Sequence, residues 1–403
     1  MKKFNLNRIW QQLAIATNWP VLVSVLVLAA MGLISIAASD RASAAAHSAQ
    51  QNNTPRQLIF LGVSLGCMLL FQAVNYQLIG RWGWGLYVIS LLLIIYTVIG
   101  TKVHVPGVRN VNGAYAWIKF GPASIEPAEI MKLAFVLVLG RYLRYRSNYR
   151  TLAGLVGPFG LALVPLVLIL KQPDLGMAMI FPPVLLTMLF VAGARVKHLV
   201  TIIAAAVLLA PLAWFSGTKN IPILKHGPEL VKNYQRERVY AWLDADNKNE
   251  RQRKAYQTYR AMVAFASGSF AGKGFGNIPV GQTVPESQND MIFALIGEQF
   301  GFFGAMVLLV SYMVLFAAGA EIAAATREPF GKLVAVGVVA TMACQTFINL
   351  MVCTGLMPVT GITLPFVSYG GSSLVASFME AGLLLNIGQN RPLVLARESF
   401  EFD

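Results

Sequence analysis

The chain has 403 residues, 56% of them hydrophobic and only 12% charged, with a mean hydropathy of +0.60. A soluble globular domain carries about 25% charged residues, so this composition excludes one and places the chain in a lipid bilayer. Lys and Arg (32) outnumber Asp and Glu (18), and their distribution along the chain follows membrane topology and does not indicate a nucleic-acid partner.

Apolar stretches of spanning length run at 20–38, 57–75, 84–100, 128–143, 152–170, 175–193, 197–215, 290–321, 331–354 and 366–388. They predict an all-α polytopic membrane protein of about ten helices, a single integral domain over 1–403. The Ala-rich residues 42–49 offer cleavage-like sites after the first stretch, but its apolar core is long for a signal sequence, so a retained helix is expected. With the N-terminus in the cytoplasm, the inner loops, tails and flanking helix ends hold fourteen Lys and Arg, and the short outer loops hold six. That bias sets both termini inside.

Residues 216–289, between the seventh and eighth helices, form a large extracytoplasmic loop with eleven Lys and Arg against six Asp and Glu. Tyr234-Gln-Arg-Glu-Arg238 and Glu250-Arg-Gln-Arg-Lys254 are charge-dense and helix-compatible. They read either as solvated loop helices or as an electropositive surface facing an anionic lipid-linked substrate.

Under this topology the polar motifs gather on the outer side. Glu126-Pro127-Ala128-Glu129 opens the fourth helix, and Lys132 lies three residues after Glu129, on one face with it. A charged pair there serves substrate or structure. Lys171-Gln172-Pro173-Asp174 is a tight outer turn that Asp174 can cap. Asp290 stands where it can cap the eighth helix. Glu298, eight residues on, is about 12 Å deeper along that helix. It must pair with a Lys or Arg or share a metal with Asp290. Glu380 in the last helix is expected to pair.

The run Asn349–Ser373 breaks between two apolar helices at Leu356-Met357-Pro358 and Leu364-Pro365, then offers Ser368-Tyr369-Gly370-Gly371-Ser372-Ser373. Such backbone survives at membrane depth only where it is buried in protein or lines a cavity. Cys344 and Cys353 are roughly 13 Å apart along one helix at 1.5 Å per residue, too far for a disulfide. Neither Cys67 nor the four scattered histidines show metal-ligand spacing.

In order along the chain, Asn112-Gly113-Ala114 with Trp117-Ile118, Glu126-Pro127-Ala128-Glu129 with Lys132, Gln172-Pro173-Asp174-Leu175-Gly176, Gly272-Lys273-Gly274-Phe275-Gly276, Pro285-Glu286 through Asp290 to Glu298, and the 349–373 run resemble the SEDS family (shape, elongation, division and sporulation) over about residues 20–390. The resemblance implies a peptidoglycan glycosyltransferase that polymerises lipid II into glycan strands at the outer face of the bacterial inner membrane, in elongation or division. It implies Asp290 as the catalytic residue and a class B penicillin-binding protein, a transpeptidase, as partner. The chain departs from the family at Gln288-Asn289, where His-Thr is usual, at Tyr256-Gln257-Thr258-Tyr259-Arg260-Ala261, and at Glu126, where Gln is preferred.

A sugar hydroxyl needs its proton removed as it attacks, which a carboxylate such as Asp290 supplies. The departing pyrophosphate needs positive charge from Lys132, Lys171 or Arg260, or from a divalent cation such as Mg or Mn. Glu129, Asp174, Glu298, Ser368 and Tyr369 complete the expected substrate-binding set. A lipid II flippase and a non-catalytic scaffold are the competing functions. Transport requires polar residues through both leaflets, and a scaffold requires no polar cluster at all.

Overall fold

The computed structural model describes residues 18–45, 52–101, 103, 105–108, 114–121, 123–216, 231, 233–243 and 256–389. Both tails, Asn112-Gly113, His47, His104, His226 and the Glu250–Lys254 charge run lie outside the described residues. Twelve α-helices follow among them: α1 Trp19–Ala45, α2 Thr54–Ala73, α3 Tyr76–Ile99, α4 Pro127–Arg144, α5 Val156–Lys171, α6 Leu175–Ala192, α7 Val196–Phe215, α8 Asn233–Leu243, α9 Tyr256–Ser267, α10 Ile292–Ala325, α11 Pro329–Cys353 and α12 Gly371–Gln389. A short antiparallel hairpin, β1 Ile118–Phe120 and β2 Ala123–Ile125, precedes α4 with Ile118 opposite Ile125.

Among the described residues nine helices are long and apolar enough to cross a membrane. The tenth expected span is α4. It forms as a helix, but Glu129, Lys132, Arg141 and Arg144 place it outside that apolar class. Its charge is tolerable because nearly every residue from Pro127 to Gly140 is buried inside protein, against α3 and α11. Around it, α11 packs on α6, α12 on α2 and α1 on α10. The α12–α2 contact needs glycine, since a Cβ on Gly382 would stand 2.4 Å from the Met68 carbonyl oxygen. By contrast α7 turns Val200, Val207, Leu208 and Leu212 outward, an apolar face for lipid.

Two boundaries shift for local reasons. Helix α1 continues to Ala45, well past the expected end at 38. The Asp40 carboxylate is satisfied there by the backbone N–H groups of Asn53 (2.8 Å) and Thr54 (2.7 Å) and by the Thr54 hydroxyl (2.6 Å), so it stitches the end of α1 to the start of α2. Helix α3 begins at Tyr76 instead of 84 because Asn75 caps it, accepting from the Gln77 N–H at 2.8 Å.

The largest departure concerns α10, which is two helices joined at a break. Gly301 has φ 63° and ψ −157°, a conformation essentially confined to glycine. Segment 268–274 splints the break. The N–H groups of Lys273 and Gly274 donate to the carbonyls of Glu298 (2.9 Å) and Gln299 (3.0 Å), and Phe302 N–H donates to the Ser269 carbonyl (2.9 Å). Residues 292–300 are therefore a half-helix, and 302–325, about 36 Å long at 1.5 Å per residue, suffice for the crossing. Glu298 precedes the break, so the depth expected for it on one continuous helix does not apply.

A Cβ at position 301 would also come within 2.4 Å of the Gly272 nitrogen and 2.5 Å of the Phe270 oxygen. Gly301→Ala should lower the thermal midpoint of the purified protein by several degrees, the backbone strain alone costing about 1–3 kcal/mol. Gly85→Ala, with nothing within 4 Å of the added methyl, should leave the midpoint unchanged. Equal midpoints for the two variants would mean that the break is not required.

Candidate functional site

Asp290 lies in the turn that leads into α10. It does not cap that helix: Met291 holds the N-cap position, with no side-chain cap bond. The carboxylate, 7% exposed, instead accepts from the Gln257 Nε2 at 3.0 and 3.1 Å, and the same amide donates to the Pro285 carbonyl at 3.2 Å. Burial pushes the Asp290 carboxyl up to about 7, helped by the negative charge of Glu286 and opposed by the Gln257 hydrogen bond and the Arg238 charge. The preceding residues of the same turn, Glu286, Ser287, Gln288 and Asn289, line a polar cavity of 350 Å³ together with Asn53 and Tyr369, among others; Asp290 itself is not in that lining.

The backbone of this turn rests on the 349–373 run, of which 354–370 form an irregular segment with Ile362, Leu364, Phe366, Val367 and Ser368 buried. Tyr369 N–H donates to the Gln288 carbonyl at 2.8 Å, the Ser368 hydroxyl to the Asn289 carbonyl at 2.5 Å, and the Asn349 amide to the Asp290 carbonyl at 2.7 Å. Ser368 also accepts from the Leu364 N–H at 2.7 Å. Its hydroxyl thus bonds backbone on both sides. Tyr369 stays on the cavity wall.

A second cluster forms where α4 and α6 begin. Lys132 Nζ pairs with Glu129 at 2.7 Å and donates to the Gln345 Oε1 at 2.5 Å, as the i,i+3 spacing predicts for the first of these. Gln345 in turn donates to the Thr363 carbonyl at 3.1 Å, and Thr363 and Ser373 share a hydroxyl contact of 2.6 Å. Asp174 caps α6 as expected, accepting from the Met177 N–H at 3.0 Å. Its carboxyl is hydrogen-bonded to that of Glu126. Burial, then the charges of Asp174 and Glu129, hold the Glu126 carboxyl well above the usual carboxylate range. Burial raises Asp174 to about 6. Glu380 from α12 acts electrostatically on Lys132.

The two clusters are one site. Gln345 and Asn349, one turn apart on α11, touch one cluster each, and the Arg238 charge acts on both Asp174 and Asp290. Arg238 belongs to α8, which is no solvated loop helix. Its guanidinium donates to the Val359 carbonyl at 3.1 Å, and Trp242 Nε1 donates to the Gly355 carbonyl at 2.8 Å, so α8 is docked on the 354–370 segment.

Three expected residues stand apart. Glu298, 0% exposed, pairs with Lys273 at 2.6 Å and accepts from the N–H groups of Val280 (3.2 Å) and Gly281 (2.5 Å) and from the Ser267 hydroxyl (3.2 Å). Its oxygens close segment 267–281 onto the half-helix, and the Lys273 pair is the cationic partner expected as one alternative. Lys171 is exposed at the end of α5. Arg260 lies one turn beyond Gln257 on α9, with its guanidinium 5.1 Å over the Tyr256 ring. Among the described residues no group of three or more His, Cys, Asp or Glu is arranged to hold a metal ion.

Sequence reasoning missed Gln257, Arg238, Gln345, Asn349 and Glu126 as site residues. Gln345 and Asn349 did carry a signal, as two amides at i,i+4 inside an otherwise apolar helix.

The pattern of the FtsW/RodA/SpoVE family, described as cell cycle proteins, matches residues 19–392. Stage V sporulation protein E of Bacillus subtilis (strain 168) is 35% identical over 338 residues, which cover 83% of this chain and 86% of that protein. A probable peptidoglycan glycosyltransferase FtsW of Tolumonas auensis is 33% identical over 360 residues, 86% of each. Among solved structures, a chain from "Structural coordination of polymerization and crosslinking by a peptidoglycan synthase complex" matches with TM-score 0.75 and 29% identity over 94% of this chain and 99% of that one. The crystal structure of Thermus thermophilus rod shape determining protein RodA matches with TM-score 0.66 and 26% identity over 93% and 97%.

Removing one partner of a buried ion pair costs about 3–5 kcal/mol, and like charges one turn apart add repulsion. Lys132→Glu should therefore reduce folded yield and thermal midpoint more than Lys132→Ala does. The exchange Glu129→Lys with Lys132→Glu should restore folding. Recovery of activity with it would make the pair structural, and folding without activity would place it against substrate.

Proposed function

The chain belongs to the FtsW/RodA/SpoVE family of cell cycle proteins, and we infer from that membership, together with the Asp290 site, that it is a peptidoglycan glycosyltransferase acting in cell shape or division. Its proposed substrates are lipid II and the growing glycan strand, met at the outer face of the bacterial inner membrane. Both termini are then cytoplasmic, as the distribution of Lys and Arg indicates. A class B penicillin-binding protein is the proposed partner. Similarity to a chain from a structure of a peptidoglycan synthase complex supports that pairing.

The observation that carries the mechanism is a buried carboxylate, held through both oxygens by Gln257 and raised to about 7, in a turn whose residues 285–289 line a polar cavity. A general base works best when its pKa lies near the operating pH. The acceptor sugar's 4-hydroxyl oxygen bonds to the donor's anomeric carbon. The bond from that carbon to the pyrophosphate oxygen breaks, its electron pair leaving with the pyrophosphate, and the hydroxyl proton passes to Asp290. Gln257 orients the carboxylate by holding both of its oxygens. Arg238, whose charge acts on both halves of the site, and Arg260 are the cations proposed to meet the leaving pyrophosphate. Lys132 is committed to Glu129 and Gln345 and orders the pocket in which Glu129 and Asp174 contact the substrate. Lys171 and Tyr369 contribute from the rim.

Asp290→Asn should lower polymerisation of purified lipid II by about 10²–10⁴-fold while leaving the protein folded. The base acts ionised, so the wild-type rate should fall about tenfold per pH unit below the Asp290 pKa of about 7 and level off above it. Near-normal polymerisation by Asp290→Asn would remove Asp290 from the role of base.

Orientation is read by cysteine labelling. Lys171→Cys should react with an impermeant thiol reagent in intact cells and Ser147→Cys should not, both positions being exposed in the fold. Cys353 is buried and Cys67 and Cys344 are half-buried, so each variant is read against the unsubstituted protein. The opposite pattern would turn Asp290 towards the cytoplasm, where no glycan strand grows.

A further inference from the structure

We propose that Asn349 is a positioning residue of glycosyl transfer, one that aims the Asp290 carboxylate by fixing the Asp290 main chain. The inference rests on the reading of Asp290 as the base. Asn349 sits one turn from the end of α11 and is 1% exposed. Its Nδ2 donates both hydrogens, one to the Asp290 carbonyl and one to the Ile362 carbonyl, each at 2.7 Å. One amide thus joins three pieces of chain: a rigid helix, the catalytic turn and the buried irregular segment.

No other group makes the same connection. Asp290 lies outside regular structure, so no helix or strand ladder holds its carbonyl, and a buried carbonyl left without a donor is costly. The neighbouring Cys353 thiol, 3.4 Å from the same oxygen, is a weak donor. The carbonyls of Gln288 and Asn289 are taken by Tyr369 N–H and Ser368 Oγ. Three successive carbonyls are therefore fixed from one side of the turn, and Gln257 fixes the carboxylate from the other. Asn349 and Cys353 both stand on α11, but only Asn349 also reaches the Ile362 carbonyl, and that helix carries Gln345 to the Lys132 cluster. It is the point through which the scaffold sets the aim of the base.

Geometry of this kind acts on turnover and not on binding. A misplacement of about 1 Å can cost on the order of 10²-fold in rate, and Asn349 is not in the cavity lining and bonds the Asp290 carbonyl, not its carboxylate. Asn349→Leu keeps the volume and deletes both donors. Ser368→Ala removes the adjacent strut with little change in volume, and it serves if the first variant does not fold. Polymerisation of purified lipid II, measured across pH with the folded protein, should show kcat reduced by about 10–10²-fold at unchanged KM. The midpoint of the pH profile should also move away from about 7, since the Asp290 environment is no longer fixed. A merely structural residue would lower yield or thermal midpoint but leave that midpoint in the surviving folded enzyme. Wild-type kcat, or a loss of activity that tracks unfolding with the pH midpoint unmoved, overturns the proposal. Asp290→Asn is run in parallel. Activity in that variant defeats the reading of the base, whereas a dead Asp290→Asn beside a fully active Asn349→Leu defeats the positioning role alone.

Discussion

The structure depends on one constraint: irregular backbone buried in a membrane domain must find all of its hydrogen-bond partners inside the protein. The chain breaks regular structure at Gly301, along 285–291 and along 354–370, and each break is splinted by another. Segment 268–274 bridges the gap in α10, and segment 354–370 with Asn349 carries the carbonyls of residues 288–290. Helix α8 then covers 354–370 through Arg238 and Trp242. Asp290 sits where these splints meet. Its precise placement follows from a backbone network that has no freedom to drift.

The same economy governs charge. A buried ion is tolerated when it is paired and hydrogen-bonded, and Lys132 meets that condition through Glu129 and Gln345, as Glu298 does through Lys273 and two backbone N–H groups. The two carboxylates contribute differently. Glu129 and Lys132 lie inside the cluster that α11 joins to Asp290, whereas Glu298 locks a loop onto a half-helix. Similar residues at similar apparent depth therefore do different work, and the difference lies in which backbone each one holds.

Much of this was legible in the sequence where one element decided the outcome. The Glu129–Lys132 pair follows from helical spacing, the Asp174 cap from a tight turn, and the broken 349–373 run from its prolines. Reading failed where the deciding partner is remote. Asp290 looks like a cap until the Gln257 amide takes its oxygens. Glu298 looks like a deep intramembrane carboxylate until Gly301 breaks the helix, and a single glycine within an apolar run gives no such notice. Arg238 was visible as part of a charge run, but only docking of α8 against Val359 shows that the run faces inward. The α4 span was found as a helix from its apolar residues, while its four charges exclude it on hydropathy alone; pairing of Lys132 with Glu129 and Gln345 is what makes the two buried ones tolerable.

The electrostatics of the cluster at the starts of α4 and α6 depend on a pair of facing carboxyls, Glu126 and Asp174. Glu126 faces Asp174 closely enough to hydrogen-bond with it, and two carboxyls so placed do not both ionise readily. Burial, then the charges of Asp174 and Glu129, hold Glu126 well above the usual carboxylate range, and burial raises Asp174 to about 6. Glu129 is balanced by Lys132, and Asp174 is opposed by Arg238. The raised pair therefore carries less negative charge than two free carboxylates would, although this part of the protein contains three carboxyls.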